Sequence, residues 1–592
     1  MGNVEKSQLV GTLLLVGIFL IYFLYFIPDD EPRTPKIQEQ IASQTNNPSQ
    51  TNPKSPEKID SLSLHKKGPF ANLMTGNEKE IEIENEYLHL IFSSKGGKIK
   101  RIQLKNYKTY PGKPLYLQHE TKTNTDLSFT FQGENISFSQ LYFTSRTYRN
   151  KVSGEDSLKL VFIAKLPHQQ YIKQVYTIWG KRYEIKHQIE NKHAYGTPLN
   201  LSWYENVENF EKNEKDMLLK TTLNYFTYDK EFETLEGEQE KEQQNINTPI
   251  AWIALKQKFF LSALIPSTPI TQAKLSIEPK QSPYVKQAKI DLQLSPGPEG
   301  IYQQRYYMGP NDIQILPEVT QGFSQNISLG WWILAYINKG FLIPVFQFLK
   351  SYISNFGILI IIMVLVIRLV LAPLTYRAFI GMAKIRILKP EMDRIKESIP
   401  NDPKKQQQEL MKVYQDMGVN PLSGCFPMIL QMPILLSMFY FFPNAFDFRQ
   451  EPFLWAEDLS SYDSILQLPF QIPMYGDHVS LFTLLMTIST LLYTRYNAQV
   501  STSTPQHLKM IQYIMPFTFL FFLNSYSAAL TFYYFISNIF SMLQQFLTKY
   551  FVNDEKIKAK LEASQKNYQK KKNKTTSFQE RIKSLKKAQR TQ

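Results

Sequence analysis

The most informative segment of the chain is Gly357-Ile-Leu-Ile-Ile-Ile-Met-Val-Leu-Val-Ile-Arg-Leu-Val-Leu-Ala-Pro373. The run is long and apolar enough to form a helix that crosses a bilayer, whose hydrocarbon core is about 30 Å thick. Arg368 interrupts this run roughly 20 Å from the start of the helix. A guanidinium at bilayer depth costs about 2.5 to 3.5 kcal/mol on insertion scales. The surroundings of Arg368 must therefore offset that cost.

Three environments would do so. Arg368 could extend to the inner headgroups, or it could form an internal ion pair, although none of the six predicted spans contains Asp or Glu. The third is a hydrated groove, in which the charge stays solvated and attracts acidic groups of another chain. Polar residues of other predicted spans would line such a groove, or would instead make ordinary helix–helix hydrogen bonds: Gln431, Thr518, Thr531, Tyr534, Ser537 and Asn538.

The first predicted span is Leu9–Ile27, an uncharged run of 19 residues. Pro28-Asp29-Asp30 follows it, in place of the small residues that a signal peptidase requires. An uncleaved anchor therefore fits better than a cleaved signal peptide. Five more spans are predicted from apolar runs, at about 356–374, 426–442, 479–494, 511–524 and 527–548.

Between the first two spans the pattern becomes polar and then strand-like. Residues 29–67 are rich in Pro, Ser, Gln and Asn, which is typical of a disordered linker. Residues 68–329 contain many short segments with period-2 alternation, such as Tyr183, Ile185 and Ile189, separated by turn residues. Strands without interleaved helices predict a β-sandwich. The chain has one cysteine, so this domain contains no disulfide and depends on its apolar core.

Basic residues give the orientation through the positive-inside rule. Residues 376–422 contain nine Lys and Arg, whereas residues 443–478 contain only Arg449 beside six acids. The tail 549–592 has 14 Lys and Arg against 4 Asp and Glu, which accounts for most of the net charge of +15. The hairpin 376–422 and the tail are therefore predicted to lie in the cytoplasm. The β-domain is then exported, and both termini are cytoplasmic.

The sequence thus predicts a polytopic α-helical membrane protein with six transmembrane helices plus a large exported all-β sandwich domain. Aromatic residues mixed with lysines after the sandwich favour a helix that lies in the membrane interface over one that packs against the exported domain. The predicted parts are a signal-anchor helix (1–28), a disordered linker (29–67), a periplasmic β-sandwich (68–329), an interfacial amphipathic helix (330–355), a second transmembrane helix (356–375), a cytoplasmic helical hairpin (376–422), transmembrane helices three to six (423–548) and a basic cytoplasmic tail (549–592).

No motif in the sequence indicates an enzyme. Phosphate-binding loops of the form GxxxxGK[ST], HExxH zinc sites, CxxC pairs and GxSxG elbows are all absent, and the eight histidines are scattered. We therefore expect neither a catalytic residue nor a bound cofactor or metal.

The C-terminal half resembles the YidC insertase family. The most specific match is Val419-Asn-Pro-Leu-Ser-Gly-Cys-Phe-Pro-Met-Ile-Leu-Gln-Met-Pro-Ile434, which leads into the third span. Ile367-Arg368 with Pro373-Leu374-Thr375, Phe448-Arg-Gln-Glu-Pro-Phe453 and Tyr533-Tyr534 with Ser537-Asn538 support it. The resemblance is weaker in the exported part, where Gly96-Gly97 and Tyr307-Met-Gly-Pro310 are similar to the large periplasmic domain of Gram-negative members.

This resemblance implies a membrane protein insertase and chaperone of the bacterial inner membrane, acting alone or with a Sec translocon. It implies a groove of five helices that is open to the cytoplasm and centred on Arg368, with Gln431 and Tyr534 among its lining residues. The chain departs from the family at Val364, where members often have Thr. Thr531 is a possible substitute for that hydroxyl.

The expected partners are nascent membrane proteins, Sec translocon components and membrane lipid. The hairpin and the basic tail are candidate contacts for a ribosome or a targeting receptor, although a basic tail binds anionic lipid equally well. A small-solute transporter or channel with an exported β-domain is one alternative function, since such proteins also use polar residues within the membrane. A sugar-binding or sugar-modifying protein that uses the exported sandwich is another.

Overall fold

The computed structural model describes residues 68–192, 197–400, 402–419, 426–500, 506–551 and 555–563. The predicted signal anchor, the linker and most of the basic tail lie outside these residues. The chain forms two compact units, one ending at Ser328 and one starting at Leu329.

The first unit consists mainly of antiparallel strands. Two short helices accompany them, α1 (Glu214–Lys220) and α2 (Leu316–Val319). The strands are β1 (Glu80–Glu84), β2 (Leu88–Ser93), β3 (Lys98–Lys108), β4 (Pro114–His119), β5 (Thr123–Phe131), β6 (Glu134–Ser137), β7 (Thr144–Arg146), β8 (Ser157–Lys165), β9 (Tyr171–Trp179), β10 (Glu184–Asn191), β11 (Leu199–Glu208), β12 (Thr222–Thr227), β13 (Phe232–Leu235), β14 (Glu242–Ile246), β15 (Ile250–Lys256), β16 (Phe260–Pro266), β17 (Ala273–Pro279), β18 (Tyr284–Leu294) and β19 (Ile301–Pro310).

These strands form three sheets. Nine strands make the largest, in the order β13-β12-β15-β16-β19-β10-β9-β8-β7, and six make the second, in the order β14-β17-β18-β11-β5-β6. A third sheet has the order β1-β2-β3-β4. Alternate residues of β10 are buried, including Ile185 and Ile189, as the period-2 pattern predicted. The unit is therefore the β-sandwich that the sequence indicated.

A buried polar chain ties the β2–β3 turn to the large sheet. Gln174 Nε2 donates to the Gly96 carbonyl at 2.9 Å, and Gln174 Oε1 lies 3.1 Å from His187 Nε2. The Tyr176 hydroxyl donates to the Gly97 carbonyl at 2.9 Å. Gly97 has φ +58°, and a Cβ there would lie 2.4 Å from Gln174 Nε2. Glycine is therefore required at this position by both conformation and space.

The second unit is mainly helical. It begins with a continuous helical segment, Trp332–Lys350, made of α3 (Trp332–Ile337), a π-helical turn (Asn338–Leu342) and α4 (Ile343–Lys350). The other helices and strands are α5 (Phe356–Ser398), α6 (Pro403–Asp416), α7 (Phe426–Asn444), β20 (Leu466–Ile472), β21 (Gly476–Val479), α8 (Leu481–Val500), α9 (Gln506–Leu523), α10 (Ala528–Phe551) and a short helix α11 (555–563).

Helix α5 is 43 residues long and begins at a side-chain cap, where Asn355 Oδ1 accepts a hydrogen bond of 3.0 Å from the Ile358 amide. It has no break at residue 375, where the sequence prediction ends the second span. The helix continues instead through Pro373 and Pro390 into the predicted cytoplasmic hairpin. Helix α6 completes that hairpin, and its Tyr414 lies in an apolar cluster with Met392 of α5 and Leu561 of α11.

Two helical segments among the described residues are long and apolar enough to cross a membrane, Trp332–Lys350 and Phe356–Ser398. The first is the segment for which the sequence predicts an interfacial position. Leu342 and Phe346 are buried in the core of the helical unit, whereas Trp332 and Tyr336 are exposed. Both the interfacial position and the six-span arrangement remain predictions.

Aromatic side chains close one end of the helical unit. The Phe346 ring packs against those of Phe441 and Phe448, with centroids 5.3 Å apart in each case. Gly357 at the start of α5 lies against the Phe453 ring, where a Cβ would come within 2.1 Å. This end contains the start of α5, the end of α7 and the chain between α7 and α8.

Buried polar side chains hold that connecting chain in place. Asp463 Oδ2 accepts hydrogen bonds from the Leu481 and Phe482 amides at 2.9 and 3.0 Å, which caps the start of α8. Asn524, in the turn between α9 and α10, donates to the carbonyls of Tyr475 and His478. The start of α8, the β20–β21 hairpin and the α9–α10 turn are thereby fixed together.

Candidate functional site: a partly buried arginine between three helices

Arg368 lies where α5, α7 and α10 meet. Its Nη2 atom donates to the Ser537 hydroxyl at 2.6 Å and to the Ser537 carbonyl at 3.1 Å. Its Nη1 atom lies 3.5 Å from Gln431 Oε1, at the limit of hydrogen bonding. The structure thus brings together three of the residues that the sequence nominated.

The acceptors around this guanidinium are all neutral. Within the described residues no carboxylate contacts Arg368, and the oxygens within hydrogen-bonding distance of it belong to Ser537 and Gln431. The internal ion pair considered above is therefore not formed in this part of the chain. Neutral acceptors orient a guanidinium but do not neutralise it.

Tyr534 lies one helical turn before Ser537 and faces α7. Its hydroxyl lies 3.4 Å from the Leu435 carbonyl, and its ring packs against Phe439 with centroids 5.7 Å apart. It therefore borders the same junction between α7 and α10, on the side nearer the aromatic end.

Asn538 faces helix α8 instead. Its Nδ2 atom donates to Ser489 Oγ at 3.0 Å and to Thr490 Oγ1 at 2.8 Å. Sequence reasoning missed both partners. The signal for Thr490 was the recurrence of hydroxyls on α8 at helical spacing, in Thr483, Thr487, Thr490 and Thr494, a series to which Ser489 does not belong.

Thr518 and Thr531 are not part of the Arg368 cluster. The Thr518 hydroxyl lies 3.4 Å from the Ile514 carbonyl, and the Thr531 hydroxyl lies 3.2 Å from the Ala528 carbonyl, so each bonds to its own helix. Thr531 is fully buried. Such back-bonding satisfies a hydroxyl inside a membrane helix without any functional contact.

A second polar contact joins α5 and α10. Gln544 Nε2 donates to Thr375 Oγ1 at 2.7 Å. Thr375 lies two turns after Arg368, and Gln544 lies two turns after Ser537, so the two helices run parallel here. Thr375 belongs to the segments that carry the family resemblance, and neither residue was assigned to the site from the sequence.

Two family models match the chain in succession. The model described as "YidC periplasmic domain" matches residues 80–342, and the one described as "60Kd inner membrane protein" matches residues 348–556. They correspond to the β-sandwich and to the helical unit that contains Arg368.

Relatives match almost the whole length of the chain. The membrane protein insertase YidC of Amoebophilus asiaticus is 41% identical over 574 residues, which cover 94% of each chain. That of Cytophaga hutchinsonii is 36% identical, over 94% of this chain and 93% of its own. The chain belongs to the YidC family of membrane protein insertases. The insertase is therefore an inner-membrane protein with a periplasmic β-sandwich and a helical C-terminal region, and it serves membrane protein insertion.

Family membership decides among the functions that the sequence left open, in favour of membrane protein insertion. Solved structures add no argument. A galactose mutarotase-like protein from Lactobacillus casei covers 39% of the insertase with 12% identity and a TM-score of 0.25.

Proposed function

We propose that the insertase moves membrane proteins into the bilayer through a hydrophilic groove between its helices, with Arg368 as the charged centre. The observation that supports this proposal is that, in the part of the chain that is described, Arg368 contacts only neutral acceptors. A membrane arginine that lacks a counter-charge needs water, headgroups or a transient acidic partner. An acidic residue of a client is such a partner.

The distribution of polar groups along α5 and α10 supports a groove that opens at one end. Beyond Arg368, towards the basic hairpin, the interface continues with Thr375 and Gln544. In the other direction it meets Tyr534 and the aromatic end around Phe441 and Phe448. We infer that the groove opens towards the hairpin and is closed at the aromatic end.

The outer surface of α9 offers a path for the apolar part of a client. Ile514, Phe517 and Phe521 are exposed at a spacing of three and four residues, which places them on one face of the helix. Met432 of α7 is exposed as well. The acidic or polar head of a client would enter the groove while its apolar segment follows these helices into lipid.

Apolar burial supplies the driving force in this mechanism. Each Å² of client apolar surface that leaves water contributes about 25 cal/mol, and the membrane potential helps when acidic residues move outwards. Since this free energy suffices without covalent chemistry, we propose that the insertase has no catalytic residue and needs no cofactor.

We further propose six spans with both termini in the cytoplasm and with Trp332–Lys350 in the periplasmic membrane interface. The charge asymmetry between residues 376–422 and 443–478 supports this orientation. Nascent membrane proteins are the clients. Sec translocon components, lipid, and a ribosome or targeting receptor at the hairpin and tail are the other proposed partners.

The test is complementation of cells depleted of their own insertase, with insertion of a small acidic-headed client as the measurement. The parent chain should restore insertion, Arg368→Lys should retain part of it, and Arg368→Ala should lose most of it. Arg377→Ala is the matched control, because Arg377 is an exposed arginine nine residues further along the same helix. Membrane levels of each variant are compared by immunoblot.

A second client separates charge from structure. When the acidic residues of the client head are replaced by Asn and Gln, the difference between Arg368→Ala and the parent should shrink. Equal rescue by Arg368→Ala and the parent with the acidic client would refute the proposed role of Arg368.

A further inference from the structure

The β20–β21 hairpin lies between α7 and α8 and has one apolar and one polar face. Along β20 the side chains alternate as Leu466-Gln-Leu-Pro-Phe-Gln-Ile472. Successive side chains of a strand point to opposite faces, so this alternation directs the four apolar residues at even positions towards one face, although the pairing of β20 with β21 is irregular between Gln467 and Ile472. Gln467 and Gln471 lie on the other.

Both faces of β20 are open to the surroundings. Phe470 is 61% exposed and Leu466 56% exposed, while Gln467 and Gln471 are exposed on the opposite side. Met474, in the turn between the strands, is exposed too. Within the helical unit, no other described residue covers Leu466 or Phe470, and an exposed apolar surface of this kind indicates a site of interaction.

The hairpin is nevertheless held rigidly against the helical unit. Asn524 Nδ2 donates to the carbonyls of Tyr475 and His478 at 2.9 and 2.7 Å. His478 Nε2 lies 2.9 Å from the Asn524 carbonyl, and its ring stacks on Tyr462 with centroids 3.7 Å apart. The exposure of Phe470 therefore belongs to an anchored element.

These anchors set the level of the hairpin relative to the helices. Helix α8 begins at Leu481, two residues after β21 ends at Val479. The ring of Tyr475 packs against Phe521 near the end of α9, with centroids 5.7 Å apart. The apolar face therefore lies next to the ends of the apolar helices. In a membrane, the helix ends lie at the depth of the lipid headgroups.

The charge of the hairpin fits this position. Asp477 is the only acidic residue between Ile465 and Val479, and no Lys or Arg occurs there. Leu454 and Tyr526, at the same end of the helical unit, are exposed as well. A lipid surface accepts scattered apolar side chains with few charges, and it requires no complementary shape.

We propose that the apolar face of the β20–β21 hairpin inserts into the outer leaflet of the inner membrane, at the boundary between headgroups and acyl chains. The periplasmic side is the expected one, because this end contains the start of α5, which follows the segment matched by the periplasmic-domain family model. The occupant is phospholipid. The proposed groove does not involve this surface.

Site-specific fluorescence in vesicles tests the proposal. Cys425, the only cysteine, is replaced by Ser. The full chain then receives Phe470→Cys or the matched control Gln471→Cys, each labelled with an environment-sensitive fluorophore. Leu466→Cys and Gln467→Cys form a second pair. Labelled chains are reconstituted into phosphatidylcholine–phosphatidylglycerol vesicles that contain lipids with a doxyl quencher near the headgroup or deep in the acyl chain.

The label at Phe470→Cys should emit at shorter wavelength than the label at Gln471→Cys. The shallow quencher should reduce the emission at Phe470→Cys at least about twofold more than the emission at Gln471→Cys. The shallow quencher should also act more strongly than the deep one. Equal quenching at both positions of each pair would overturn the proposal. So would a label that escapes lipid quenchers in vesicles but becomes shielded in native membranes, because a protein partner would then cover the hairpin.

Discussion

Arg368 Nη2 lies 2.6 Å from Ser537 Oγ and 3.1 Å from the carbonyl oxygen of the same residue. One serine thus supplies two of the three acceptors that the structure gives this guanidinium. Because both oxygens are neutral, they fix the direction of the side chain and leave its charge available. Ser537 is therefore a positioning residue for Arg368.

Replacement of Ser537 by Ala tests this positioning role. The variant loses the 2.6 Å hydrogen bond and retains the bond to the carbonyl. We expect insertion of an acidic-headed client to slow about fivefold, which corresponds to about 1 kcal/mol for one hydrogen bond. Ser537→Thr, which keeps a hydroxyl, should recover most of the rate. A rate unchanged in Ser537→Ala would show that the carbonyl alone orients Arg368.

Thr518→Val should leave insertion unchanged within about twofold, since among the described residues the Thr518 hydroxyl bonds to the Ile514 carbonyl of its own helix alone. The measurement is the same client assay at matched membrane levels. The sequence analysis assigned Thr518 to the groove, so this variant tests whether a polar residue in a membrane helix matters for insertion when it does not contact Arg368. If Thr518→Val lowered insertion as much as Arg368→Ala, Thr518 would have to be assigned to the groove.

The contact between Thr375 and Gln544 should couple α5 to α10. We expect Thr375→Val and Gln544→Leu to be non-additive in a double-mutant cycle, with a coupling of about 0.6 kcal/mol and at most about 1.7 kcal/mol. The readout is thermal stability of the detergent-solubilised chain. Pairing either variant with Thr518→Val serves as the control, because that pair shares no contact and should be additive.

Much of the site follows from the sequence because a charge in an apolar run demands polar neighbours. That demand pointed to Gln431 and Ser537, and both contact Arg368. It could not reject Thr518 or Thr531, because the sequence does not show whether a threonine hydroxyl bonds to its own helix or faces a groove. It also missed Ser489 and Thr490, whose partner Asn538 is set by how α8 packs on α10.

The fold, like the site, could be predicted from the sequence only in part. Period-2 alternation in strands such as β10 indicated the sandwich, because a strand with one buried face alternates apolar and polar residues. Strand β16, which is buried at every residue, has no such pattern. The order of the strands within the sheets depends on contacts between distant segments and was not predicted. The β20–β21 hairpin was missed as well, since it lies within a short loop whose low basic content was used only for orientation.

Gly97 offers a test of the β-sandwich. Gly97→Ala places a Cβ at φ +58° and 2.4 Å from Gln174 Nε2, so both strain and a clash are expected, with a cost of about 2 kcal/mol or more. Gly112→Ala is the matched control, because Gly112 has φ +83° and no atom within 4 Å of the added Cβ. It should cost about 1 kcal/mol. Thermal unfolding of the full chain in detergent should rank the parent, Gly112→Ala and Gly97→Ala in that order of decreasing stability.

Glu205 in β11 is a buried carboxyl whose ionisation opposes folding. Its side chain accepts a hydrogen bond of 3.0 Å from Trp203 Nε1. Burial raises the pKa of Glu205 from 4.5 to about 7, although nearby Lys122 and the bond from Trp203 act in the opposite direction. The folded chain therefore holds this proton over a pH range in which the unfolded chain has released it. The contribution of this proton to the free energy of unfolding is fully present below about pH 4.5 and is lost as the pH rises to about 7.

Glu205→Gln should remove this pH dependence, because glutamine keeps an acceptor for Trp203 without carrying a charge. We expect the variant to unfold at a higher temperature than the parent at pH 8, by an amount that reflects up to about 3 kcal/mol. At pH 4 the carboxyl is protonated in both states, so the advantage should vanish. The measurement is thermal unfolding of the detergent-solubilised chain across this range, with the exposed Glu155→Gln as control. A variant less stable than the parent at both pH values would mean that Glu205 acts as the stabilising counter-charge of Lys122.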